Sequence, residues 1–194
     1  MEFIGKKIRL NKPLTELDLL VLKFIRILEK YVNYVVISGY VSILLGRTRS
    51  TEDVDIYIRY LSEDKFLELV KEIYVNDFYC LNTDNPNDMY DYLKEGLAVR
   101  FAEKGQIIPN FEVKFAKKII DTDLFEEALE VETEAGIIKI SSLERQIAFK
   151  KYYLSSVKDL EDASYVEEIA RGYLNQEKIK KYKELIKILM KDDA

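Results

Sequence analysis

Asp53 and Asp55 stand two residues apart in the run DVDIYI. In a strand that spacing sends both carboxylates from one face. Two like charges held so close repel unless a cation lies between them. The chain has no histidine and a single cysteine, Cys80, so the cation expected there is a hard one held by oxygen: magnesium, manganese or calcium. Upstream, YVVIS runs into Ser38-Gly39, and the stretch from there to Gly46 has room for a short helix. Backbone N–H groups at a strand-to-helix turn suit a phosphate, and glycine lets the backbone approach it closely. The run NFEVKF offers a third acid: Glu112, with Lys114, faces away from Phe111, Val113 and Phe115. An anion cradle and a carboxylate pair on adjacent strands are parts of phosphoryl-transfer chemistry.

The absence of histidine also excludes Ser-His-Asp and Cys-His catalysis and His-ligated zinc. A net charge of −5 argues against a broad basic nucleic-acid platform. The charge is uneven: residues 61–95 hold nine acidic and three basic side chains, and 141–194 hold eleven basic and ten acidic, so a polyanion should avoid the first stretch. MEFIGKKIRLNKP lacks the apolar centre of a signal peptide, no run approaches the ~20 apolar residues of a spanning helix, and one cysteine forms no intramolecular disulfide. A cytoplasmic setting without membrane partners is expected. Neither the Gly-rich turn of a Rossmann unit nor a P-loop is present.

These residues need a frame. Residues 15–31 carry an apolar stripe at helical spacing after the capping Thr15; 34–38 and 54–58 read as strands; Ser62 opens a helix to about residue 73. Residues 84–88 have turn chemistry, 97–103 and 107–115 read as strands, and Thr122 or Asp123 starts a short helix to about residue 129. Residues 131–140 suggest a hairpin closing at Ala135-Gly136. Helices are expected over 141–154, with the capping box Ser141…Glu144, then 159–174 and 176–190. The lysine-rich end reads as a packed helix with Ile179, Tyr182, Leu185, Ile186 and Leu189 on one side. The order predicts an α+β fold: a mixed sheet with helices over 1–140, followed by a helical part over 141–194 packed on it.

Ser38-Gly39, Gly46 and then Arg49-x-Thr51-x-Asp53-x-Asp55 resemble the signature of the polymerase-beta-type nucleotidyltransferase superfamily. The form is most similar to the minimal nucleotidyltransferases of the AbiEii-like abortive-infection toxin group. A second stretch, SSLERQIAFKKYYLSSVKDLEDA, is similar to the later part of that group, with Lys150 as its helical lysine and Lys158, Asp159 and Asp162 as its Lys-Asp-x-x-Asp. The likeness covers roughly residues 30–165. Ser38 stands where the first glycine of the pair is usual, and Glu112 where Asp is usual.

The resemblance implies transfer of a nucleoside monophosphate from a nucleoside triphosphate, ATP among the candidates, to an acceptor hydroxyl, with release of pyrophosphate. Asp53, Asp55 and Glu112 would hold Mg2+ or Mn2+; Ser38, Gly39, Arg49, Thr51, Lys150, Asp159 and Asp162 would contact the nucleotide. RNA or protein as acceptor, and a cognate antitoxin as partner, follow from the toxin group. The residues alone leave Arg49 and Thr51 open to a purely structural role. Lys114 and the longer third acid leave open a non-catalytic binding or regulatory protein on the same fold.

Overall fold

Period-two burial sets the strands and apolar stripes set the helices in the computed structural model, which describes residues 1–117 and 119–192. In chain order these are β1 (Glu2–Ile4), β2 (Lys7–Arg9), α1 (Glu16–Leu28), β3 (Tyr34–Ile37), α2 (Gly39–Leu44), β4 (Asp53–Ile58), α3 (Glu63–Val75), β5 (Phe78–Cys80), α4 (Pro86–Glu95), β6 (Val99–Glu103), β7 (Asn110–Phe115), β8 (Leu129–Thr133), β9 (Gly136–Ile140), α5 (Leu143–Phe149), α6 (Val157–Ile169) and α7 (Gln176–Asp192). The strands form one mixed sheet in the order β1-β2-β8-β9-β3-β4-β7-β6-β5. β4 lies between antiparallel β3 and parallel β7. Its Val54, Ile56 and Ile58 are buried, while Asp53, Asp55 and Tyr57 alternate to the other face.

On the buried face Phe24 of α1 stacks on Phe111 at 4.1 Å and meets Phe78 edge-on at 5.1 Å. Each such pair adds roughly 0.5–1.5 kcal/mol beyond the area it removes from water. α1 starts where the sequence says it should: Thr15 Oγ1 accepts from Asp18 N, and Asp18 Oδ2 accepts from Thr15 N, a reciprocal cap. α5 lies over the opposite face, its Arg145 guanidinium 5.9 Å from the Tyr57 ring. α7 buries Ile179, Tyr182, Ile186 and Leu189.

Several expectations are corrected. No α-helix forms over 122–129; a single 3-10 turn (Ile119–Asp121) leads into turns, because Asp121 is drawn into a buried ion pair with Arg145 at 2.6 Å. The hairpin turns at Glu134-Ala135, one residue early, with Thr133 Oγ1 accepting the N–H groups of Ala135 and Gly136. Ser141 does not cap α5. It stays in the sheet, donating its N–H to Val36 O at 2.9 Å, and Ser142 accepts from Arg145 N instead. The helix expected over 141–154 gives way at Phe149 to a π-helical turn (Lys150–Leu154), and the helix expected at 159 begins at Val157 behind the cap Ser156 and ends at Ile169.

Candidate active site

The cross-strand register brings the acids together. Asp55 pairs with Ile37 on one side and with Glu112 on the other, and Glu112 pairs in turn with Arg100. Adjacent strands lie ~4.8 Å apart, so Asp55 and Glu112 share a row and Asp53 is one pleat away on the same face. Burial pushes the Asp55 carboxyl up to about 6, helped by the charges of Asp53 and then Glu112; Lys114 and a hydrogen bond from the Ser38 hydroxyl pull the other way. Thr51 Oγ1 lies 3.0 Å from the Asp53 carbonyl and 3.3 Å from its carboxylate, fixing the start of β4.

Glu112 is on the expected face but already engaged. Its Oε1 accepts from Arg100 at 2.7 and 2.6 Å, and Lys114 lies 3.5 Å from Oε2. Among the described residues no group of three or more His, Cys, Asp or Glu side chains is arranged to hold a metal. The Asp53–Asp55 pair does fit a hard cation: both donors are carboxylate oxygens, and the desolvation and repulsion that raise Asp55 are what bound positive charge would relieve.

The turn beside this pair is tightly built. Ser38 has φ 64° and ψ −137°, a backbone region populated almost only by glycine. Gln146 of α5 grips it from both sides: its Oε1 accepts Ser38 N at 3.1 Å, and its Nε2 donates to Ser38 O. Gly39 does not leave open room for a ligand. A Cβ there would sit 1.9 Å from the Arg49 guanidinium, which packs against the helix start. Tyr40 anchors α2 from beneath, its hydroxyl donating to the buried Asp18 at 2.7 Å.

Lys150 lies off the apolar stripe of Leu143, Ile147 and Leu154, where a lysine is normally solvated, yet it is 2% exposed, and Asp162 is fully buried. Lys150 Nζ lies 2.8 Å from both Asp159 and Asp162. Asp162 also pairs with Arg47 and, at 3.2 Å, with Arg49 Nε. Asp159 and Asp162 are thus counter-ions of a cationic cluster; their carboxylates are already taken up. A cleft of about 240 Å³ opens beside it, lined by Ser38, Asp55, Tyr57, Lys114, Gln146 and Lys150 among others. Reading the sequence missed Arg47, Tyr57, Arg145 and Gln146 here. Tyr57 was findable, since it continues the alternation of Asp53 and Asp55. Gln146 was not, because its partner is 108 residues away.

In fold, this nine-stranded mixed sheet with its flanking helices is similar to solved nucleotidyltransferase-like structures. The chain is similar to an antigenic nucleotidyltransferase-like protein from Paracoccidioides brasiliensis, with TM-score 0.52 and 16% identity over 81% of this chain and 79% of that one. It is also similar to the antibiotic-resistance factor ANT(2'')-Ia in solution, with TM-score 0.54 and 15% identity over 90% and 92% of the two chains. The same factor in complex with adenylyl-2''-tobramycin gives TM-score 0.57 and 13% identity over 91% and 99%. No protein-family model matches the sequence, and no curated protein matches it. The likeness is one of fold. Among the described residues no helix is long and apolar enough to cross a membrane.

Proposed function

We propose that the chain is a metal-dependent nucleotidyltransferase that moves a nucleoside monophosphate from a nucleoside triphosphate to an acceptor hydroxyl and releases pyrophosphate. The observation that carries this reading is Asp55, half-buried beside Asp53 and raised to about 6, on the strand paired with the one that ends at the Ser38 turn. The shared fold of nucleotidyltransferases supports it. Asp53 and Asp55 would hold Mg2+ or Mn2+, with Glu112 a third ligand if freed from Arg100. The ion, when bound, neutralises triphosphate oxygens and lowers the pKa of the acceptor.

The remaining roles belong to the chain itself. Ser38 faces the terminal phosphates, Gly39 gives Arg49 room to pack against the helix start, and Lys150 at the cleft wall offsets the phosphate charge. Arg49 and Thr51 hold the loop and the start of β4 in place. Asp159 and Asp162 act on the nucleotide through Lys150. The acceptor is a hydroxyl of RNA, of a protein or of a small molecule, as the adenylyl-tobramycin in one structural neighbour illustrates for that protein. An RNA or protein acceptor would place the chain with the toxin-like group and give it a cognate antitoxin.

The grip of Arg100 and Lys114 on Glu112 favours a second reading, a non-catalytic relative that keeps the fold. One experiment separates the two. The protein is incubated with each α-labelled triphosphate, Mg2+ and a mixture of RNA, protein and aminoglycoside acceptors. The proposed function requires label to reach one acceptor class, and requires Asp53→Asn and Asp55→Asn to abolish it. Absence of transfer with every triphosphate would favour the non-catalytic reading.

A further inference from the structure

The strain at Ser38 needs something to hold it. A non-glycine residue at φ 64° and ψ −137° costs of order 1–3 kcal/mol and persists only where its surroundings over-determine it. Gln146 supplies that constraint, because one amide satisfies both backbone groups of Ser38. The amide is itself fixed: Gln146 is 3% exposed, and Ser141 Oγ lies 3.4 Å from its Oε1. Its orientation is set by chemistry, since an N–H must meet its oxygen and a carbonyl its nitrogen. Ser38 in turn lines the same cleft as Asp55, and its neighbour Ile37 pairs with Asp55 across the β3–β4 register. A chain of contacts therefore runs from α5 through Ser38 to the acidic pair.

We propose that Gln146 is a positioning residue, acting through the strained Ser38 backbone to hold the turn in the geometry that binds the triphosphate next to Asp55. The inference rests on the nucleotidyltransferase reading of the cleft. It explains how serine is tolerated at a position where glycine would adopt the conformation unaided. The clamp replaces the missing conformational freedom.

This predicts a specific rescue. Gln146→Met keeps the buried volume but removes both hydrogen bonds. In the Ser38 protein it should weaken binding of a magnesium–triphosphate complex by roughly tenfold or more, because two backbone groups lose their partner and the turn relaxes. In the Ser38→Gly background, where the conformation is intrinsically accessible, the same substitution should weaken binding less than about threefold. Calorimetric titration of a non-hydrolysable triphosphate into the wild type, the two single variants and the double variant measures this coupling. Melting curves of the same four proteins give a second, ligand-independent cycle, in which Gln146→Met should destabilise the Ser38 protein more than the Ser38→Gly protein. Equal losses of affinity in both backgrounds, or no loss in either, would overturn the proposal. If the wild type binds no triphosphate, the nucleotide reading fails, and the positioning role with it. The melting cycle then still decides whether the clamp supports the strained turn.

Discussion

Asp55 carries two opposing demands: it is half-buried beside like charges and is needed charged when a cation binds. With its folded pKa near 6 and an unfolded value near 3.8, the folded state holds more protons between those limits, so this group makes stability fall as pH rises through that window. Fully expressed, the displacement corresponds to about 3 kcal/mol. Asp55→Asn should therefore melt at the same or a higher temperature than wild type at pH 7, the difference closing toward pH 4, while losing all transfer. Melting curves at both pH values check this, and a large loss of stability would mean the pair is structural. Glu112 makes a different prediction. Arg100→Gln releases its carboxylate from an exposed ion pair worth roughly 0.2–1 kcal/mol, so magnesium binding should tighten by up to about fivefold. Unchanged affinity in a metal titration would leave Asp53 and Asp55 as the only ligands. The pair itself was legible because a two-residue spacing at the head of an alternating strand has one geometric meaning. The ion pairing of Glu112 was not, since Arg100 is brought beside it only by the β6–β7 register.

At the scale of elements, the cationic cluster ties the loop after α2 to α6. Arg47 and Arg49 come from the loop and Lys150 from the π-helical turn, and all three converge on Asp162. Removing one partner of a buried pair strands the others at a cost of about 3–5 kcal/mol. Asp162→Ala should lose that much in denaturant unfolding, and Asp159→Ala clearly less, because Asp159 is partly exposed and neutralises only Lys150 among these cations. Equal effects would show that Asp162 does not hold the cluster together. Helical periodicity placed Lys150 on a solvated face because Leu143, Ile147 and Leu154 read as the core stripe; the first two are buried, but Leu154 is exposed. It could not foresee that the helix loosens into a π turn and that α6 folds back with two acids. Short elements were lost for a related reason. β1, β2 and β5 have three residues each, too few for alternation to register, and the Asn-Pro that reads as a turn is the cap and first turn of α4.

For the whole molecule, the sheet's two faces divide the labour. One face, packed by α1 around Phe24, Phe78 and Phe111, holds the strands in register; the other carries Asp53, Asp55 and Glu112, with Asp55 lining a cleft closed by α5. The α+β plan and the acidic strand could be read from periodicity, which is local. The closure of the cleft depends on contacts such as Gln146 with Ser38 and Arg145 with Asp121, which the chain makes only once folded. Metal dependence is the central claim, because two like charges one pleat apart on a half-buried strand face call for a cation between them. Its most direct test is calorimetric titration of a non-hydrolysable triphosphate into wild type and Asp55→Asn, each with and without magnesium. The expected result is that wild-type affinity falls by about tenfold or more, at least 1.4 kcal/mol, when magnesium is withheld, and that Asp55→Asn binds weakly with or without it. Equal wild-type affinity in both conditions, or a metal response in Asp55→Asn as large as in the wild type, would contradict it.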